Sequence, residues 1–203
     1  MFVRFSGSAL LIGGVLAALL NLVLTPQLPT DAGSVAVATS TAFAIRMPLA
    51  AASVALVTIG CVGLYLAHAD RLRLGALAFL VAGVGGMMAF CAECVQFTLI
   101  RDLAFEAPEM LERLEEAGQL ARYDLAFGIA VATFAVGWLA VAVVTLRAGV
   151  LSRRGPITLL LGMLLVPILG AAVGIWGAVV GNVVLGSGWA LLGLDLRWSS
   201  DLA

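Results

Sequence analysis

From Gly155 to Leu194 the chain runs for forty residues without a charge, and no other feature of the sequence restricts its fold so tightly. As one helix the run would reach about 60 Å, twice the roughly 30 Å hydrocarbon core of a bilayer. It therefore has to fold back on itself. Pro167, Gly170, Gly174 and Gly177 cluster near its middle, so a tight turn is expected around Ala171 to Ile175, where helix-weakening residues coincide. Trp176 and Trp198 then stand 22 residues apart, about 33 Å along a helix, which suits indoles at the two interfaces of a single span.

Length and apolarity identify four earlier spans, Phe5 to Leu24, Met47 to His68, Leu74 to Ile100 and Leu125 to Leu146, while the uncharged run supplies two more over 156–172 and 175–196. The expected fold is all-α: a polytopic membrane helix bundle of six transmembrane helices in one domain over 1–203. Five is the alternative, in which the fifth span is long, tilted and re-entrant. Composition agrees, with 63% hydrophobic and 11% charged residues and a mean hydropathy of +1.13, against about 25% charged in soluble domains. No A-x-A-like cleavage site follows the first apolar stretch, so it is expected to stay as a helix. All eleven basic residues are arginine, which with the Ala, Gly, Val and Leu richness fits a GC-rich prokaryotic coding bias.

Arginine also orients the bundle. Arg4, Arg71, Arg73, Arg147, Arg153, Arg154 and Arg197 fall on one side, and Arg46, Arg101, Arg113 and Arg122 on the other. The arginine-rich side is expected to be cytoplasmic. Asp70, Asp195 and Asp201 leave that side with a surplus of four positive charges, and eight acids leave the other with four negative ones. The expected location is the prokaryotic cytoplasmic membrane with both termini cytoplasmic. A net charge of -1 leaves no broad basic surface for nucleic acid.

The outer connections are the long ones, covering 25–46 and 101–124. Loops of that length usually hold structure or carry function. In the second, Pro108 opens a helical pattern to Arg122 in which Met110, Leu111, Leu114, Ala117 and Ala121 share a face and Glu109 precedes Arg113 by four. In the first, Asp31 is placed to cap a weaker helix. Both are expected as interfacial helices on the outer face, either covering the spans or acting as a lid over an outward-opening cavity.

Within the third span the stretch FCAECVQF, Phe90 to Phe97, sets Glu93 between Cys91 and Cys94. At 100° per residue Cys91, Cys94 and Thr98 form one stripe, while Glu93 and Gln96 form another roughly 100 to 160° away. Thiols and carboxyl therefore point apart, and His68, the one histidine, lies near the opposite membrane face, so neither a metal site nor a cofactor is expected. The CxxC spacing resembles that of membrane thiol oxidoreductases of the vitamin K epoxide reductase kind. Those enzymes pass electrons through further cysteines, and here only Cys61 is left, in another span. Packing is the simpler role for Cys91 and Cys94, with redox chemistry as a remote alternative.

A carboxyl inside the hydrocarbon costs several kcal/mol if charged and unpaired, so Glu93 should face the bundle interior or have a partner. By depth, Asn21, Arg46, Gln96 and Asn182 share its outer third of the membrane. One expectation is interhelical hydrogen-bond glue, worth about 1 kcal/mol per group. The other is an outward-open polar pocket, Arg46, Glu93, Gln96, Asn21 and Asn182, in which Arg46 and Glu93 pair or separately hold the two ends of a small amphiphile or periplasmic solute. No nucleophile-elbow, phosphate-loop or zinc-protease motif suggests an enzyme. The GxxxG from Gly177 to Gly181 permits close helix contact within a bundle or in a homo-oligomer.

The order of an initial apolar span, the outer segment Pro29 to Gly33, an arginine opening span two, Gly63 to Tyr65 near its end, and L-S-R-R-G-P-I before span five resembles uncharacterised six-span bacterial membrane proteins classed under domains of unknown function. That resemblance implies the six-span layout and transfers no activity. Two functions are carried forward: a ligand-binding or transporter-like bundle in contact with membrane lipid, and a non-catalytic subunit packing against a larger membrane complex.

Overall fold

The structure is a computed structural model that describes residues 2–68 and 75–198. Its helices are α1 (Phe2–Val23), α2 (Ser34–Thr39), α3 (Thr41–His68), α4 (Gly75–Val95), α5 (Arg101–Glu106), α6 (Pro108–Glu116), α7 (Leu120–Ala148), α8 (Arg154–Val173) and α9 (Ile175–Trp198). A π-helical turn over Gln96–Ile100 joins α4 to α5. Six helical segments are long and apolar enough to cross a membrane. The uncharged run folds back where expected: Gly174, at φ +67°, separates α8 from α9 and donates its N–H to the Gly170 carbonyl. A side chain would be strained in that left-handed conformation.

The spans form a ring. α9 packs on α8 and α1, α1 on α3, α3 on α4 and α4 on α7, and a thinner α7–α8 contact closes it. Small residues make these contacts close: Gly7 of α1 meets Gly193 and Arg197 of α9, Gly14 meets Gly186 and Ala190, and Gly137 of α7 meets Ala82 of α4. Without a hydrophobic drive between helices in lipid, such close backbone approach is what holds spans together. The Gly7–Arg197 approach also brings Phe2 and Trp198 to one end of the bundle, the terminal end; the long connections lie at the other, the loop end. Toward the terminal half of the core, Phe134, Trp138 and Trp189 contact one another edge to face at 5.6–6.2 Å. Leu77, Leu80, Leu125, Ile168 and Val173 point outward and are more than half exposed, an apolar exterior that suits lipid.

The helices outrun the apolar stretches. The second begins at Thr41 rather than Met47, the third continues to Glu106 rather than Ile100, and the fourth starts at Leu120 rather than Leu125. Arg46, Arg101, Asp102 and Asp124 end a hydrophobic run, yet none of them breaks a helix, because charged side chains at a span end reach outward while the backbone stays helical.

At the loop end the helix expected from Pro108 to Arg122 stops at Glu116, since Gly118 takes a φ of +65°. Of its expected apolar face, Leu111 is buried and Leu114 half-buried, while Met110, Ala117 and Ala121 are exposed. Glu109 and Arg113 approach at 4.0 Å. Asp31 is not a cap: it lies in a short 3-10 turn, and Gly33 occupies the position before α2. Ala38, Phe43, Met47, Ala104 and Leu111 form a small core under α2, α5 and α6, fastened by the Arg101 Nη1 donating to the Ala38 carbonyl at 3.0 Å. Asp70, Arg71, Arg73 and Asp201, used above for orientation, and Leu74, the expected start of span three, lie outside the described residues.

Candidate functional site

Two residues from the loop-end third of α1 and α3 are linked through a third. Asn21 donates Nδ2 to the Ala17 carbonyl one turn back (2.9 Å), leaving Oδ1 to accept the Thr25 hydroxyl (3.2 Å). Thr25 in turn accepts Arg46 Nε at 3.1 Å. This relay fixes the guanidinium against α1. Apart from a weak Nη1 contact to Met47 Sδ at 4.0 Å, the remaining N–H groups of its five-donor fork are left to meet something else.

Across the α3–α4 seam stands Glu93. Its Oε2 is shut off from solvent and has no hydrogen-bond partner among the described residues. Arg46 is the cation whose field reaches it, yet no ion pair within 4.0 Å joins the two. The neighbouring turn is irregular, with the Arg101 N–H reaching the Gln96 carbonyl five residues back. Such π turns recur at functional sites, because the extra residue re-aims the side chains around it. Tyr123, from the start of α7, donates its hydroxyl to the Ala92 carbonyl at 3.2 Å and lies within reach of the Gln96 amide and the field of Glu93.

Four of the five expected residues, Asn21, Arg46, Glu93 and Gln96, are thus tied to one neighbourhood built from α1, α3, α4 and the start of α7. Asn182 is tied only to its own helix, donating to the Ala178 carbonyl at 2.9 Å. Sequence reasoning missed Thr25 and Tyr123. Thr25 was legible as the residue one turn beyond Asn21, and Tyr123 as one of only two tyrosines. Both were assigned to loops because charge and proline seemed to end the helices there.

The three thiols differ in exposure. Cys91 is exposed, Cys94 half-buried and Cys61 buried, and all three are free. Cys61 leans on the Phe79 carbonyl, with Sγ at 3.7 Å. Among the described residues no cluster of three or more His, Cys, Asp or Glu could hold a metal ion.

The terminal half also buries polar groups. His68, the last residue of α3, is buried against the bundle (2% exposed), its Nδ1 2.6 Å from the Leu64 carbonyl. Ser6 and Thr145 are also buried. Their hydroxyls and the indole nitrogens of Trp138 and Trp189 have no hydrogen-bond partner among the described residues. On the outer wall of that half, α3 and α4 part to form a groove of about 610 Å³, floored by Thr58, Cys61, Phe79 and Gly83 and rimmed by Val62 and Leu80.

Comparison with known protein families, curated proteins and solved structures finds no match.

Proposed function

We propose that the loop end of the bundle is an outward-opening polar pocket in a prokaryotic cytoplasmic membrane protein. Both termini are then cytoplasmic, α2 and α6 lie in the outer interface, and the pocket binds a small amphiphile or periplasmic solute in a transporter-like way. One observation carries the reading. A carboxylate oxygen is buried without a donor beside an arginine that is held in place but not paired with it. A buried acceptor left bare costs about 1–3 kcal/mol, and ionisable groups inside spans mark ligand or ion pathways. Structural glue would close the Arg46–Glu93 gap; a binding site keeps it open.

Gln96→Cys, in a chain with Cys91 and Cys94 replaced by alanine, tests this without touching either charge. A membrane-impermeant methanethiosulfonate added from the periplasmic side should modify it. No modification of folded protein from that side would remove the pocket.

The apolar groove between α3 and α4 favours a second reading, a non-catalytic subunit that receives a helix of a larger membrane complex. Co-purification of a partner that bulky replacement of Gly83 abolishes would support it.

A further inference from the structure

Taking the pocket reading as its premise, we infer that the ligand is a zwitterion whose cationic end carries N–H groups, of the phosphoethanolamine class, with its ammonium on Glu93 and its anionic group on Arg46. Charge balance comes first. Arg46 and Glu93 bring opposite charges into one low-dielectric neighbourhood without pairing within 4.0 Å. A simple anion there would meet the bare carboxylate, and a simple cation the guanidinium; both arrangements leave one charge uncompensated, which is expensive inside a membrane. A zwitterion compensates both and adds no net charge.

Hydrogen bonding narrows the class. Glu93 Oε2 has no hydrogen-bond partner among the described residues, and once ionised against a cationic ligand the carboxylate can only accept. A primary ammonium supplies three N–H donors; a quaternary ammonium supplies none and is held instead by aromatic faces. At the other end, Arg46 is anchored through Nε on the Thr25–Asn21 relay. That leaves the outer edge of its fork for a phosphate or carboxylate, the groups that guanidinium geometry matches. Tyr123 and Gln96 flank Glu93 with a hydroxyl and an amide, suited to a polar headgroup rather than an apolar tail. A lipid headgroup and a free phosphoethanolamine present the same chemistry.

The full chain in detergent micelles, offered phosphatidylethanolamine, its N-methyl and N,N-dimethyl forms, phosphatidylcholine and phosphatidylglycerol with identical acyl chains, separates the possibilities by native mass spectrometry. Retention should fall stepwise as N–H groups are replaced, with at least a tenfold preference for phosphatidylethanolamine over phosphatidylcholine and phosphatidylglycerol. Glu93→Gln should flatten the series, and Arg46→Gln should lower every zwitterionic member. The methylation series is read on the unaltered protein, so it decides even if a variant fails to fold. Soluble phosphoethanolamine, titrated calorimetrically, identifies the source: Glu93-dependent binding of it with no lipid selectivity means a free solute and keeps the assignment. Equal retention across the series without such binding, or selectivity unmoved by Glu93→Gln, overturns the ammonium assignment. The pocket itself then stands or falls with the Gln96→Cys labelling, which is read with none of these ligands added.

Discussion

The two halves of the bundle both bury polar atoms, but of different kinds. The loop half holds ionisable groups: half-buried Glu93 and Arg46, joined to Asn21, Thr25, Gln96 and Tyr123 by hydrogen bonds and fields that stop short of pairing the two. The terminal half buries neutral groups, the hydroxyls of Ser6 and Thr145 and the indoles of Trp138 and Trp189. A bare neutral donor in a dense core costs about 1–3 kcal/mol and can be outweighed by the contacts around it. A bare charge costs more, so an unpaired carboxyl at the loop half has to be neutralised by a proton or compensated by a partner. On the proposed reading the terminal half is the scaffold and the loop half the site.

That division is strongest if stability and charge respond to different residues. Trp138→Ala removes a fully buried indole that touches both Phe134 and Trp189, and should cost about 3–5 kcal/mol, read as a fall in the unfolding midpoint in micelles. It should not alter labelling at Gln96→Cys in any protein that remains folded. Glu93→Leu should act in the opposite sense. Replacing a donorless carboxylate by an aliphatic group is expected to stabilise the ligand-free bundle by about 1–3 kcal/mol, the usual relation between a functional site and the stability it sacrifices. If Glu93→Leu instead destabilised the protein as Trp138→Ala does, the carboxyl would be structural and the contrast between the halves would collapse.

The scaffold was far easier to read from sequence than the site. Six spans follow from length and apolarity, and the α8–α9 turn from glycines that converge on Gly174, because in a bilayer both the helix length and the need to satisfy every backbone group are imposed from outside. Helix ends were not legible: Arg46 and Asp124 sit inside helices that hydropathy truncates. The position of each polar residue along its helix was legible too, since rise per residue is fixed. Depth gives a level but no direction around the bundle, which is why Asn21 and Asn182, placed at similar levels, part company, the first in the Arg46 relay and the second bonded within its own helix. Tyr123 was hidden by assignment to a loop. His68 stands at the terminal end of its span as expected, but no pattern in the sequence shows that the fold turns its ring onto Phe79 at 5.9 Å.

The smallest expected effect concerns the two faces of α4. Glu93 looks across the α3–α4 seam, while Cys91 is exposed and Cys94 half-buried on another face, so the thiols should report the exterior without disturbing the site. N-ethylmaleimide, which enters micelles and bilayers, should alkylate Cys91 fastest and Cys94 more slowly. Cys61, 2% exposed on the floor of the α3–α4 groove, should react slowest. The pattern should be identical with and without reductant, since attack depends on access to a free thiol, and alkylation of Cys91 should leave phosphatidylethanolamine retention unchanged. Labelling of Cys91 and Cys94 that appears only after reduction would reveal a disulfide between them. That would draw the exterior face of α4 into chemistry of its own, and the loop half could no longer be described by its charges alone.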